Sequence, residues 1–139
     1  MSTPHPEGAG ALSAMQQALT MAKLEPQDVD YVNLHGTATR SNDAAEGLAI
    51  ASLFGRSVPC SSTKGHTGHA LGAAGIVEAA LSMLAMKNGV TPGGVNTEVL
   101  DSDLHVNYLL TNLNCEPKII LSNSFGFGGS NCSLLLERT

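Results

Sequence analysis

An α/β fold, a mixed sheet with helices packed on it, is what this 139-residue sequence predicts. Strand-like and helix-like segments alternate through the first half, and strand candidates crowd the second. The length is that of one domain, enough to hide roughly two-thirds of the unfolded surface. Apolar residues make up 42% and charged residues 14%, with no Trp, which excludes a disordered chain and suits an Ala/Gly-rich one.

The elements follow in order. Pro4, Pro6 and Gly8 mark an irregular start. Leu12, Met15, Leu19 and Ala22 then step by three and four, the stripe of an amphipathic helix that must stop before Pro26. "VDYVNLH" reads as a strand. Ser41 or Asn42 can cap the next helix, with Asp43 and Glu46 in its first turn and Gly55 at its end. "VPCSS" reads as a short buried strand. Thr67 is the expected cap of a long helix running to about Lys87, with Asn88-Gly89 as a left-handed stop. After the "TPGG" turn, "VNYLL", "IILSNS" and "CSLLLE" are further strands, the last two joined by the glycine corner "FGFGGSN".

The formal charge of −5 argues against nucleic acid or an anionic membrane as a partner. Cys60, Cys115 and Cys132 are odd in number and lack CxxC spacing, so neither a disulfide framework nor a zinc knuckle is expected, and a reducing cytoplasm fits. "MSTPHPEGAG" has no basic region leading into an apolar core, hence no secretory signal. The longest apolar stretch, "ALGAAGIVEAALSMLAM", is broken by Glu78 and reads as a buried helix, not a membrane span.

Chemistry concentrates in "CSSTKGHTGHALGAAG", where ionisable groups precede a run of small residues. His69, expected in the first helical turn, faces free N–H groups and a positive dipole end, which favour a neutral, hydrogen-bond-donating imidazole. Such a donor suits a developing oxyanion or enolate. Lys64 can pair with Glu78 or orient a histidine. His35 in "NLHGTAT" stands at a strand end, where ligands of open α/β sheets collect, and taken by itself reads equally as a capped, partly buried loop histidine. His66 and His69 are three apart, with His35 and Cys60 also available. No carboxylate joins them at ligand spacing, so no metal is expected. "GFGG" and "GHALGAAG" match neither phosphate-loop nor dinucleotide fingerprints. The glycines around Phe125 and Phe127 leave backbone N–H groups free to face a ligand, or simply form a tight corner.

In this order and spacing, "HGTAT", "STKGHTGHALGAAG" and "NSFGFGGSN" resemble the C-terminal half of the β-ketoacyl-acyl-carrier-protein synthases, decarboxylating condensing enzymes of the thiolase superfamily. The likeness runs from about Pro4 to Glu137. It implies a thiolase-like half-domain over residues 1–139, lacking its first strand and the N-terminal half of the fold. It implies that His35 and His69 hold the malonyl thioester carbonyl, that Lys64 pairs with Glu78, and that Thr37 and Thr39 bind the pantetheine arm. Phe127 would be a gating residue whose N–H joins the oxyanion hole, with Asn123, Phe125, Gly128 and Gly129 shaping its loop.

The resemblance further implies no cofactor beyond the phosphopantetheine of an acyl carrier protein, a role in fatty acid or polyketide synthesis, and a homo- or heterodimer. The family's nucleophilic cysteine lies in the N-terminal half, in an Ala-Cys-small motif that none of the three cysteines here matches. The chain alone is therefore expected to be inactive and to need that half as partner. His66 stands where an apolar or small residue is expected. A non-catalytic, chain-length-factor-like partner subunit is the alternative reading.

Overall fold

The computed structural model describes His5 and residues 7–139, apart from the side chain of Phe127; Pro4 and Pro6 lie outside the described residues. Helix α1 (Ala9–Ala22) leads into strand β1 (Tyr31–Asn33), followed by α2 (Arg40–Phe54) and β2 (Pro59–Ser61). A single turn, α3 (Lys64–Thr67), precedes the long helix α4 (Ala74–Asn88). Strands β3 (Asn107–Tyr108), β4 (Ile119–Phe125) and β5 (Asn131–Glu137) complete a five-stranded sheet of order β3-β2-β1-β4-β5. β1 runs parallel to both β2 and β4, β3 runs parallel to β2, and β5 returns antiparallel along β4. Each strand segment expected from the sequence is present.

The pleat divides the core. Val32 and Leu121 face α1 and α2, joining Met15, Leu19 and Ile50. Tyr31 and Ile120 face the opposite way and pack on Ala85 and Met86 of α4. The α1 stripe buries Ala11, Met15 and Leu19, whereas Ala22, expected on that face, is exposed because the helix ends there in a left-handed Lys23.

Two helix starts differ from expectation. The α2 N-cap is Thr39, not Ser41 or Asn42. Thr39 makes no side-chain cap bond, since its hydroxyl pairs with that of Thr37 at 3.0 Å, and the Asn42 amide donates to Asp43. The long helix does not begin after Thr67. Gly68 takes φ 70°, ψ 176°, a conformation open essentially only to glycine, and turns the chain out of α3. A 3-10 turn (Leu71–Ala73) then leads into α4. The far end matches the sequence: Gly89 caps α4 at φ 64°.

Candidate functional site

β1, β2 and β4 are parallel, so their carboxyl ends share one edge of the sheet, and the candidate residues gather there. His35 follows β1, Lys64 follows β2, and Phe125 ends β4. The rings of His35 and His69 meet edge to face with centroids 5.5 Å apart. Phe125 lies against His35 at 5.7 Å. His69 stands in the link between α3 and α4, not in the first turn of the long helix as expected, and it is exposed in this chain.

The two imidazoles are held neutral or tautomer-specific by different means. Burial, then the positive Lys64 and the neighbouring His69, push the His35 pKa from 6.5 down to about 4. Its Nδ1 is buried without a hydrogen-bond partner among the described residues. NMR titration of the His35 ring should give a midpoint of about 4; a midpoint near 6.5 would show a ring that charges freely. Because the folded value is the lower one, the unfolded chain takes this proton first. His35 therefore contributes a loss of stability on acidification from pH 6.5 to about 4. In His69, Nδ1 accepts the Leu71 backbone N–H at 3.2 Å. The proton of the neutral ring is thereby left on Nε2, as a donor.

Lys64 and Glu78 form a buried ion pair between α3 and α4, as the sequence suggested. Burial pushes the Glu78 carboxyl up, and the Lys64 hydrogen bond and charge pull it back. The backbone beside His35 is fixed by Glu46, which sequence reading treated only as a first-turn acid. Its carboxylate accepts the N–H groups of His35 and Gly36, both at 2.9 Å, and the Asn123 amide at 3.1 Å. Full burial pushes the Glu46 carboxyl up despite these bonds. Asn123 in turn accepts the Ser133 hydroxyl at 2.8 Å, tying β5 to the same cluster. Gly36 sits at φ 39°, where an added Cβ would lie 2.5 Å from Ser62 Cβ, so only glycine lets the two loops close on each other. Glu46→Gln would turn an amide N–H₂ toward one of these donors, and a loss of about 1–3 kcal/mol is expected in urea melts.

The remaining expected residues lie near. Thr37 and Thr39 share a hydrogen bond at the start of α2. Gly128 and Gly129 are left-handed at φ 79° and 86°, and Gly126 N–H bonds Ser130 O at 2.8 Å to close the corner. The Phe127 side chain falls outside the described residues, so gating by its ring is untouched. Cys60 is buried in β2 with its thiol pushed up to about 12 by burial, the opposite of an activated nucleophile. Cys115 shares a 2.8 Å hydrogen bond with Thr91, and Cys132 lies on β5, away from any helix start. Among the described residues no cluster of three or more His, Cys, Asp or Glu could hold a metal ion, and no helix is long and apolar enough to cross a membrane.

Two imidazoles meeting at the carboxyl edge of a mixed sheet, beside a glycine corner, belong to a thiolase-like fold. The chain belongs to the family described as beta-ketoacyl synthase, C-terminal domain, whose model matches residues 1–98. It is 44% identical over 142 residues to a mitochondrial 3-oxoacyl-(acyl-carrier-protein) synthase of Arabidopsis thaliana, covering 97% of this chain and 31% of that protein. It is 41% identical to 3-oxoacyl-(acyl-carrier-protein) synthase 2 of Coxiella burnetii, covering 99% of this chain and 34% of that one. Among solved structures, a chain from the complex of the ketosynthase ApeO with its chain length factor ApeC, from Xenorhabdus doucetiae, superposes with a TM-score of 0.95. It is 44% identical, and the match covers 100% of this chain and 36% of that one. This chain thus spans about a third of the length of the curated relatives it matches.

Proposed function

We propose that this chain is the histidine-bearing half of a β-ketoacyl-acyl-carrier-protein synthase acting in fatty acid or polyketide synthesis. A malonyl thioester on a carrier-protein phosphopantetheine binds with its carbonyl oxygen between His35 and His69. The bond between its carboxylate and α-carbon breaks, and the electron pair moves onto the thioester oxygen as an enolate while carbon dioxide leaves. The Nε2–H of His69 stabilises that oxyanion, as preorganised neutral donors do. The enolate carbon then attacks an acyl thioester on a cysteine supplied by the N-terminal half, forming the new carbon–carbon bond and expelling the thiolate. No other cofactor is required.

The observation that carries this reading is the 5.5 Å contact of the two rings, one pushed to about pKa 4 and the other holding its proton on Nε2. The N-terminal half as partner is supported by α4, where Ile76 and Met83 are 72% and 60% exposed, an apolar face suited to a covering domain. A carrier-protein partner is supported by a structural relative at 27% identity and TM-score 0.94, a type II polyketide-synthase acyl-carrier protein in complex with its ketosynthase. The chain-length-factor alternative is disfavoured by the same histidine contact, for which a partner without chemistry has no use. The test is release of labelled carbon dioxide from malonyl-carrier protein by the complete synthase that contains this domain. Absence of release, with the cysteine acylated, overturns the reading.

A further inference from the structure

A cavity of about 470 Å³, the size of a small-molecule site, opens beside the histidine pair. His69, Lys64 and Thr37 border it, and Leu34, Ile50 and Val106 supply apolar wall. Two of its charged groups are already committed. Lys64 is paired with Glu78, and the Glu46 carboxylate holds the backbone N–H groups of His35 and Gly36. The rest of the lining comes largely from a strap, residues 95–101, of which all but Glu98 border the cavity.

The strap is pinned at its ends and loose between them. The Gly93 and Gly94 N–H groups make 2.8 Å bonds to the Asn112 side chain and Leu109 O, and Leu104 N–H bonds Asp101 O at 3.1 Å. Between these points, among the described residues, only long side-chain bonds hold it. The Asn96 amide donates to Gly65 O at 3.5 Å, and the Thr97 and Tyr108 hydroxyls are 3.4 Å apart. Bonds of that length are weak and give way to shorter ones. Asn96 and Thr97 thus bring an amide and a hydroxyl, nearly free, to the cavity that Thr37 borders.

This inference rests on the malonyl thioester reading above. The arm that carries the thioester alternates methylene segments with amides, each having one N–H donor and one carbonyl acceptor. A cavity with apolar wall and unshared hydrogen-bonding groups matches that alternation. Asp43 and Asp101, also on the wall, add acceptors and suit an uncharged chain bearing N–H groups. We propose that Asn96 and Thr97 bind the pantetheine arm, giving up their long bonds to hydrogen-bond its amides while the thioester end reaches the histidines. The strap then serves substrate binding and takes no part in the bond-breaking step.

The test uses the complete synthase and follows carbon dioxide release from malonyl-pantetheine and from malonyl ethyl thioester, which lacks the amides. Thr97→Val keeps the side-chain shape and deletes the hydroxyl. Asn96→Gly deletes the amide without backbone strain, since Asn96 sits at φ 61°. Each variant should raise KM for malonyl-pantetheine about tenfold and hold kcat within about twofold, the pattern of binding lost equally from ground and transition states. For the ethyl thioester, kcat/KM should stay at the wild-type value. An unchanged KM for malonyl-pantetheine in either variant overturns the assignment of that residue, and in both overturns the inference. An equal fall in kcat/KM for the two substrates also overturns it, because damage to the fold does not distinguish them. If instead the unsubstituted synthase releases no carbon dioxide from malonyl-carrier protein, the functional reading has failed and this inference falls with it.

Discussion

His69→Ala in the complete synthase is expected to lower malonyl decarboxylation by about 10²–10³-fold, the loss seen when one preorganised oxyanion donor is deleted. The donor is Nε2–H, because Nδ1 is committed to the Leu71 amide. In the proposed reaction, transfer of the acyl group onto the cysteine does not use this donor and should keep its rate. His69→Gln offers an N–H₂ in place of the ring N–H and should recover part of the loss. Decarboxylation unchanged in His69→Ala would remove this ring from the reaction.

Lys64→Met should produce the largest stability change. Lys64 and Glu78 side chains are 7% and 1% exposed, so removing the cation strands a carboxylate away from water. Breaking a buried pair in this way costs about 3–5 kcal/mol. The deficit should depend on pH with a definite sign. Burial already raises Glu78 above its ordinary value, and without Lys64 nothing nearby pulls it back as strongly. A group whose folded value is raised favours folding below that value and loses the advantage as pH rises through it. Lys64→Met should therefore be less destabilised at pH 5 than at pH 8 in urea melts. Lys64→Met with Glu78→Leu should regain most of the loss, since an apolar pair needs no compensation. Equal midpoints for Lys64→Met and the wild-type chain would show that the pair contributes nothing.

Strands were legible because their signals are local: β-branched runs such as "VDYVN" and "IILSNS" end in glycine, proline or polar turns. The left-handed stop at Gly89 was legible for the same reason. The start of α4 was not. The stretch "HTGHALGAAG" carries helix-forming Ala and Leu, and propensity alone extends the helix back to Thr67. The φ and ψ of Gly68 break it, a conformation that a glycine permits but does not announce. Of the residues carried by ordered motifs, His35 meets His69 and Phe125, and Lys64 pairs with Glu78. Glu46 escaped because its partners are 10, 11 and 77 residues away, and helical spacing says nothing about such distances. Its signal was a carboxylate on the inward side of α2 between buried Ala45 and Ala49, a charge that must find donors.

The amide that fixes His69 belongs to Leu71, whose own side chain is 77% exposed and whose φ of 51° already strains any residue but glycine or asparagine. The instruction for proton placement is therefore carried by the main chain, out of reach of most point mutations. Position 71 can vary among side chains without a branch at Cβ and leave the imidazole as it is. Proline alone erases the message, since it has no hydrogen on its nitrogen and cannot adopt that angle.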